Sequence, residues 1–558
     1  MISWIDWSVL LGSLVFITLF GIWKTKKNSS TRAYLMGDEE LNWWTIGFSI
    51  MATQASAITF LSTPGQAYED GMRFIQFYFG LPLAMIVLSV FILPQYYKLK
   101  VFTAYEFLEQ RFDVRVRTLT AVLFLLLRGL SASITLIAPA IILSALFGWS
   151  MAFTIFMLGS FVIVYTLIGG SNAVSKTQVQ QMAVILLGLF MAIILIYSQL
   201  PAGIGIKETF SIAGSAGKMN IVDFKFDPKE RYNIWSGLLA SFFLFLSYFG
   251  TDQSQVQRYL TGKTLTESRL GLMFNGLVKI PMQFTVLLTG LMVYIFFLFQ
   301  QPPLHFNEVN RQNVMKTEVA NEYKNLEAKF DVVFNDRKTF ITENIAKDNL
   351  SDETFSQKLK DYNKKIRELR LEAREKISQA NPSAKVKDED YIFMYYVLNY
   401  FPVGVIGLLL AMIFSAAMSS TASEINALAT TFIVDIYKRN WVKDATDEHY
   451  LKMSKTVTLG WGILLMIFAL WAAPLENLIQ AVNILGSLFY GTILGVVVSA
   501  IFLKKVSANG VIVGAIVAET VVILGYFFSD IGYLWFNAIG CILVMFIGSA
   551  YSAIFNKK

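Results

Sequence analysis

Two short runs of small and hydroxyl-bearing residues interrupt long apolar segments of this sequence. One run covers residues 52–59 and continues through Ser62 and Thr63, and the other covers residues 415–423. A helix that unwinds in an apolar environment frees backbone carbonyl groups, and carbonyl and hydroxyl oxygens are the ligands that a small hard cation requires. Small residues also allow helices to pack closely. Each run alone therefore leaves cation binding and close packing open, whereas the two together favour cation coordination.

Two charged side chains lie within apolar segments, where ionised groups are costly. Arg128 is near the middle of a long apolar stretch, and Glu424 directly follows the second polar run. A guanidinium group forms a fork that fits a carboxylate. The partner of Arg128 is either the carboxylate of a bound ligand or an internal acid such as Glu424, and the sequence leaves both open. Glu424 also lies four residues beyond Ser420, where it could supply charge to a cation site.

The segments that carry these residues are hydrophobic enough to cross a membrane. Of the 558 residues, 55% are hydrophobic and 16% are charged, which does not fit an ordinary soluble chain. Roughly 20 apolar residues form a helix that spans a bilayer core. We therefore predict an all-α membrane protein with about thirteen transmembrane helices, near residues 5–23, 43–68, 73–97, 116–147, 150–168, 178–200, 233–253, 267–300, 392–436, 453–473, 476–503, 508–528 and 531–553.

Basic residues follow the odd-numbered predicted spans, whereas the alternate short loops, such as residues 474–477, contain few Lys or Arg. An excess of positive charge marks the cytoplasmic side of a membrane. The pattern predicts an inner (plasma) membrane protein with its amino terminus outside and its carboxyl terminus in the cytoplasm. The basic residues include Lys24, Lys26 and Lys27 after the first span, Lys504 and Lys505 after the eleventh, and Lys557 and Lys558 at the end.

Other classes of site have little support. The net charge of +7 comes from basic residues at helix ends rather than from one patch, so we expect no nucleic-acid partner. Cys541 is the only cysteine, which excludes an internal disulfide. His305 and His449 fall in separate polar loops and form no cluster of the kind that binds zinc.

Residues 301–390 depart from the membrane pattern, because Glu, Lys, Asp and Arg are abundant there. We predict a helical hairpin on the external face that docks a partner, acts as a lid, or is only a stabilised insertion. Its apolar residues follow the 4-3-4-3 spacing of paired helices. They are Val319, Tyr323, Leu326, Phe330 and Val333, then Phe355, Leu359, Tyr362, Ile366 and Leu369.

Several motifs, taken together, resemble the sodium:solute symporter family, as a bacterial member with a long external insertion. The likeness covers nearly the whole chain apart from the hairpin. The motifs are YLMG at 34–37, SAITF at 56–60, FTAYEFLEQRF at 102–112, YTLIGG at 165–170, DQSQVQR at 252–258, and MSS at 418–420 leading to NALAT at 426–430 and DIY at 435–437.

The resemblance implies a leucine-transporter-type core, with two five-helix repeats of inverted topology and broken helices at spans two and seven. It divides the chain into five parts. These are a leading helix and cytoplasmic loop (1–42), the first repeat to about residue 200 with the start of the second (43–300), the hairpin (301–390), the rest of the second repeat (391–505), and two further helices (506–558).

The resemblance further implies Na⁺ as the coupling ion, bound by Ala52 and Ala55 of span two with Ala416, Ser419 and Ser420 of span nine. The last three share one helix face. Gln178 stands where many members have an acid that supports a second sodium ion. Gln178, Ser423 and Glu424 mark a candidate second cation site, which we expect to be weak or absent, so that one sodium ion accompanies each solute.

The family's solute pocket maps onto residues of several spans, to which we add Arg128. The run from 128 to 139 looks closer to the monocarboxylate, vitamin and iodide branch than to the sugar branch, which favours an organic anion such as a monocarboxylate or a sialic acid. The predicted solute-binding residues are Thr59, Thr63, Phe77, Tyr78, Arg128, Asp252, Lys279 and Gln480.

The resemblance thus implies a symporter that imports a small organic solute across the lipid bilayer by alternating access, and not an enzyme. The alternatives are a sugar or other neutral solute, coupling to protons through an acid such as Glu424, and a sensor or interaction protein that keeps the transporter fold.

Overall fold

The computed structural model describes residues 3–24, 30–36, 41–382, 384, 386–472 and 478–555. This part of the chain consists of helices and connecting loops. The first twelve helices are α1 (Trp4–Lys24), α2 (Thr31–Met36), α3 (Trp43–Gln54), α4 (Ala57–Asp70), α5 (Leu81–Val87), α6 (Leu93–Leu99), α7 (Glu106–Arg111), α8 (Val114–Phe147), α9 (Met151–Ser198), α10 (Ile206–Ser215), α11 (Ser241–Thr251) and α12 (Gln253–Leu260).

The remaining helices include the predicted hairpin. They are α13 (Leu265–Phe299), α14 (Glu308–Val314), α15 (Ala320–Ala346), α16 (Glu353–Ala380), α17 (Glu389–Tyr400), α18 (Val405–Thr431), α19 (Asp447–Ala472), α20 (Leu478–Phe502), α21 (Ala508–Phe528) and α22 (Trp535–Phe555). A 3₁₀ segment covers Gly71–Tyr78, and π-helical segments cover Leu88–Ile92, Ser236–Ala240 and Phe432–Trp441.

The predicted all-α membrane fold is confirmed, although the count of thirteen spans stays a prediction. By length and composition, ten helical segments within the described ranges are apolar enough to cross a membrane. Two shorter apolar stretches, Trp4–Ile17 and Ser236–Thr251, accompany them. Several residues of the charge and motif patterns lie outside the described residues, namely Lys26, Lys27, Gly37, the loop at 474–477, Lys557 and Lys558.

The second and seventh predicted spans are each divided into two half-helices. Between α3 and α4 the chain is extended at Ser56 (φ −77°, ψ 169°). Between α11 and α12 it is extended at Asp252 (φ −78°, ψ 117°). The end groups of half-helices lack intrahelical partners, so each break presents polar backbone inside the protein. The breaks fall in the two spans where the five-plus-five arrangement requires them.

The predicted ninth span, residues 392–436, is divided in the structure. Its first part is the separate helix α17, which ends at Tyr400, and α18 begins at Val405. Pro402 cannot continue a helix, and Gly404 has a φ of 89° that suits glycine. Asp6 of α1 then caps α18, because its Oδ1 accepts hydrogen bonds from the backbone N of Gly404 (2.6 Å) and of Gly407 (2.9 Å).

Helices α15 and α16 form the predicted hairpin. Tyr323, Leu326 and Phe330 of α15 are buried together with Ile366 of α16. Near the tip, Phe355 belongs instead to the main core of the protein, so the hairpin lies against the membrane helices. We call the side of the protein that carries the hairpin the hairpin face.

Asp388 fixes the base of the hairpin. Its carboxylate accepts hydrogen bonds from Arg374 Nη2 (2.9 Å) and from the backbone N of Phe306 (2.6 Å). Burial by itself would raise the pKa of Asp388, but His305, Arg370, Arg374 and the Phe306 amide outweigh it and lower the pKa to about 2. The carboxylate is therefore ionised at neutral pH and holds α16 to the segment that follows α13.

A close helix crossing gives a test of this architecture. An added Cβ at Gly290 of α13 would lie 2.0 Å from the carbonyl O of Pro64 in α4. Since forced overpacking costs about 1–3 kcal/mol, we expect Gly290→Ala to lower the apparent Tm of the purified protein by at least about 2 °C. The control is Gly460→Ala in α19, where an added Cβ meets no atom within 4 Å; its Tm should be unchanged or higher. Equal Tm values for the two variants would contradict this close crossing of α4 and α13.

Candidate functional site

Four oxygen atoms meet where the break between α3 and α4 faces α18. Ser419 Oγ lies 3.0 Å from the carbonyl O of Ala52 and 3.0 Å from that of Ala416. Ser420 Oγ lies 2.9 Å from the carbonyl O of Ala416. All four residues are buried. We call these four atoms the oxygen cluster; they are neutral oxygens of the kind that binds hard cations.

Ala55 is the fifth residue predicted to bind sodium, and it lies in the break itself. It is buried, its φ and ψ are −83° and 76°, and its amide donates to the carbonyl O of Met51 at 2.7 Å. The non-helical ψ takes its carbonyl out of the regular helical pattern. The structure therefore places Ala52 against Ser419 of α18, and Ala55 lies three residues further along, in the break.

Gln178 of α9 forms a second polar cluster beside the first. Its Nε2 donates to Thr53 Oγ1 (3.0 Å), to Ser423 Oγ (2.9 Å) and to the carbonyl O of Ser419 (3.3 Å). Its Oε1 accepts a hydrogen bond from Ser49 Oγ. An amide NH₂ group offers only donors, so Gln178 directs hydrogen atoms at the oxygens that a second cation would need.

Arg128 of α8 is the centre of a buried charge cluster. Its Nη1 donates to Glu424 Oε1 (3.0 Å) and its Nη2 to Tyr490 Oη (2.5 Å). Nη2 also forms an ion pair with Asp252 Oδ2, to which the Tyr490 hydroxyl donates at 2.7 Å. Arg128, Asp252 and Glu424, which we call the charge triad, are each at most 5% exposed. The internal pairing of Arg128 with Glu424, one of the two alternatives from the sequence, is therefore present.

Asp252 also closes the break between α11 and α12. Its Oδ1 accepts hydrogen bonds from the backbone N (2.9 Å) and the Oγ (2.6 Å) of Ser254, and it thereby caps the first turn of α12. A carboxylate is stabilised at this position by the helix dipole. Both of its oxygens are thus engaged by protein groups.

A central cavity of about 90 Å³ lies between the break in α3–α4 and the charge triad. Aromatic rings form part of its wall, and the centroid of Phe245 lies 5.1 Å from that of Phe77 and 5.6 Å from that of Tyr78. The cavity thus joins the break to Arg128. Of the predicted site residues, those that line it are Thr59, Phe77, Tyr78, Arg128 and Glu424.

The other predicted solute contacts do not line this cavity. Asp252 contacts Arg128 but does not itself line the cavity. Thr63 and Lys279 are completely buried, and neither the Thr63 hydroxyl nor the Lys279 amino group has a hydrogen-bond partner within the described chain. Gln480 faces the hairpin side, where its Oε1 accepts from Arg231 Nη1 at 3.0 Å. Its neighbour Ile479 does line the cavity, because successive residues of a helix point about 100° apart.

Sequence reasoning missed several lining residues. Ser131 and Thr135 line the cavity three and seven residues after Arg128, so helical periodicity could have found them. Tyr248, whose ring centroid lies 5.4 Å from the Arg128 guanidinium, and Tyr490 come from other helices. No local signal distinguishes these two tyrosines from ordinary membrane-helix aromatics.

Known proteins resemble this chain over almost its full length. The sodium/sialic acid symporter SiaT of Proteus mirabilis is 26% identical over 99% of this chain and 96% of its own. Human sodium-coupled monocarboxylate transporter 2 is 24% identical over 92% of this chain and 71% of its own. A solved structure of a substrate-bound, outward-open Na⁺-coupled sialic acid symporter matches with a TM-score of 0.76 at 23% identity, over 99% of this chain and 98% of that one.

The family comparison rests on most of the chain and leaves the hairpin aside. The model of the sodium:solute symporter family matches residues 34–321 and 374–518. The matched ranges include both broken helices, the oxygen cluster and the charge triad. The chain therefore belongs to the sodium:solute symporter family and is a sodium-coupled membrane transporter rather than an enzyme.

Proposed function

We propose that this transporter carries an organic anion with a carboxylate group, such as a monocarboxylate or a sialic acid, together with sodium. The observation that supports this most strongly is Arg128, the one basic side chain among the described residues that line the central cavity. A guanidinium fork binds carboxylates with both charge and geometry. The relatives named for sialic acid and for monocarboxylates point to the same class of solute.

The sodium ion in this proposal binds at Ala52, Ala55, Ala416, Ser419 and Ser420. An ion at the oxygen cluster would hold the end of α3 against α18 and so favour one arrangement of the two helices. A ligand shifts a conformational equilibrium only by binding one state better than the other. Loss of the ion would release this contact, which is the change that alternating access requires.

Electrostatics couple the ion to the solute. The triad has two acids and one base, so with all three ionised its formal charge is −1, and an anion entering alone meets net negative charge. A sodium ion at Ala52 and Ala55 would lie next to Gln54 and Ser56, which line the cavity, and would offset that charge. Sodium should therefore raise the affinity for the anion, and the anion must raise the affinity for sodium by the same factor.

A solute carboxylate would exchange with one of the acids that hold Arg128. Asp252 is also bound by Tyr490 and Ser254, whereas Glu424 has Thr135 as a weaker neighbour beside Arg128. Glu424 is therefore the acid that gives way. The cavity of about 90 Å³ must enlarge for this exchange.

The coupling ratio in this proposal is one sodium ion per solute. The second site considered from the sequence needs acceptor oxygens at Gln178, Ser423 and Glu424. Gln178 instead supplies donors, and Glu424 is paired with Arg128. The charge pattern of the loops further supports an inner-membrane protein with its amino terminus and its hairpin face outside.

The experiment that tests the solute class compares wild type with Arg128→Lys, which keeps the positive charge but loses the fork. Ligands that bind only the folded state raise its Tm. We expect sialic acids or monocarboxylates to raise the Tm of the purified wild type in sodium but not in choline. In Arg128→Lys the affinity for the carboxylate should fall about tenfold or more, a loss of roughly 1.4 kcal/mol.

Glu424→Gln is the matched variant, because it removes the competing charge and should strengthen binding of the anion. A Tm rise with sugars alone would overturn the assignment to an organic anion. An equal Tm rise in choline and in sodium would point to proton coupling through Glu424.

Sodium binding at the oxygen cluster is tested by Ser420→Ala. Loss of one hydroxyl ligand should raise the sodium concentration for half-maximal uptake about tenfold while changing the Tm little. Ser454→Ala makes the same chemical change at a buried serine whose Oγ also donates to a carbonyl four residues earlier, at 2.7 Å. It should leave sodium activation as in wild type. Unchanged sodium activation in Ser420→Ala would count against the assigned site.

The coupling ratio is tested by Gln178→Glu, which replaces donors with a carboxylate beside Thr53 and Ser423. We expect the Hill coefficient for sodium-dependent uptake to rise from about one towards two, since it is bounded by the number of sites. Gln178→Ala, which removes the amide without adding an acid, should keep a value near one. A wild-type coefficient near two would contradict the single-sodium proposal.

A further inference from the structure

A cavity of about 630 Å³ opens on the hairpin face, between the hairpin and the membrane helices. We call it the vestibule. Of the described residues that line it, nine are Lys or Arg and three are Asp or Glu. Arg73 and Lys229 are also ion-paired with Asp223 and Asp530 outside the lining, which leaves an excess of four positive charges. Such an excess of one charge in a cleft with partly buried walls concentrates ions of the opposite sign.

Helix α16 supplies a row of these basic residues. Lys360, Lys364, Arg367 and Arg370 line the vestibule and follow one another at intervals of three or four residues, which places them on one helix face. Like charges at this spacing destabilise a helix. The row therefore lowers the stability of the hairpin, and an anion bound in the vestibule would offset this loss.

Two deeper arginines, Arg337 and Arg370, also lie at the wall, and acids offset the charge of Arg370 but not that of Arg337. Arg337 is 5% exposed, and its guanidinium donates to the neutral oxygens of Asn363 (3.0 Å) and Phe297 (3.2 Å), with no carboxylate within 4.0 Å among the described residues. Arg370 is 6% exposed, and its ion pair with Glu69 is long, at 4.0 Å. A buried cation without a close acid, as at Arg337, leaves a positive potential at the wall of the cavity.

The vestibule lies directly over the central cavity. Phe74 and Tyr232 line the vestibule, whereas Phe77 and Tyr78, one turn beyond Phe74, line the central cavity. The rings of Phe74 and Phe77 stack at 5.3 Å, and Phe74 also meets Tyr232 at 5.1 Å. These packed rings, which we call the aromatic layer, thus lie between the basic vestibule and the cavity that Arg128 lines.

The family model passes over residues 322–373, so the row on α16 lies outside the family pattern. We propose that the vestibule is an anion-collecting site, in which the hairpin binds the carboxylate solute loosely above the aromatic layer and delivers it to the central cavity. This inference rests on the proposed function, in which the solute is an anion. Steering of this kind raises local concentrations by about 10-fold or more and is screened by salt.

The first test removes the exposed part of the row with Lys360→Gln, Lys364→Gln and Arg367→Gln combined. The control carries the same loss of charge on the exposed surface of α15, away from the vestibule, as Lys324→Gln, Lys329→Gln and Lys338→Gln combined. Sodium-driven uptake of sialic acid is measured in phosphatidylcholine vesicles at fixed sodium, so that anionic lipid headgroups are absent. The triple α16 variant should raise KM about three- to tenfold at low ionic strength with kcat unchanged, and choline chloride should shrink the difference. The control should behave as wild type.

The second test needs no knowledge of the solute. Cys541 is buried, so a cysteine introduced at Ala216, which lines the vestibule, can be compared with one at the exposed Val332 of α15. The rate of reaction with an anionic methanethiosulfonate, relative to a cationic one, should be about tenfold higher at position 216 than at 332. The α16 triple variant should lower that ratio.

The outcomes separate the two proposals. Equal rate ratios at the two cysteines would overturn the anion-collecting site whatever the solute is. A high ratio at position 216 with an unchanged KM in the triple variant would also overturn it. A high rate ratio at position 216, combined with a rise in Tm for neutral sugars alone, would also overturn the collecting role. In that case the proposed solute class would be wrong, whereas the positive charge of the vestibule would stand.

Discussion

One guanidinium group held by two carboxylates determines how the centre of this transporter is arranged. Arg128 comes from α8, Asp252 from the break between α11 and α12, Glu424 from α18 and the associated Tyr490 from α20. Leaving any of these charges buried without its partner would cost several kcal/mol, about 3–5 when one partner of a buried pair is removed. The helices that carry them must therefore meet at this point, and the central cavity forms where they meet.

The same constraint explains why a charged solute and a cation are linked. The break between α3 and α4 places the carbonyl O of Ala52 beside α18. The adjacent residues Gln54 and Ser56 line the central cavity together with Arg128, so the oxygen cluster lies next to that cavity. A charge added at one place changes the cost of a charge at the other, because both places are buried and charges interact more strongly away from bulk solvent. In the proposed function this short-range coupling replaces any need for a long conformational path.

The hairpin shows how one amphipathic pair of helices can serve two purposes. Its apolar seam, with Tyr323, Phe330 and Ile366, makes it a stable structural unit, and that purpose alone would account for its presence. Lys360, Lys364 and Arg367 of the basic row face the vestibule, whereas Arg370 lies at the vestibule wall and also contacts the ring of Phe330 in the seam. The position of this row over the aromatic layer, rather than the charge of the segment as a whole, supports a role in collecting anions.

The sequence by itself determined the class of fold and the location of the breaks. Long apolar segments require helices in a bilayer, and the polar run at 52–59 marked where the backbone is unwound. The run at 415–423 also marked a polar contact region, but it lies inside the unbroken helix α18. The motifs then fixed the order of the spans. The division of the ninth span was missed because its apolar residues are continuous enough to predict a single helix. Pro402 and Gly404 were the residues that indicated a break between α17 and α18.

Only the tertiary structure decided which distant groups meet. It paired Arg128 with Asp252 as well as Glu424, left Gln480 on the hairpin face with Arg231, and buried Lys279 and Thr63 away from the central cavity. It also turned Gln178 so that its Nε2 donates to Thr53, Ser423 and the carbonyl O of Ser419. These outcomes depend on the rotation of each helix about its axis and on contacts between residues far apart in sequence. Periodicity within one helix describes a face, but which neighbour covers that face is set by the packing of the whole bundle.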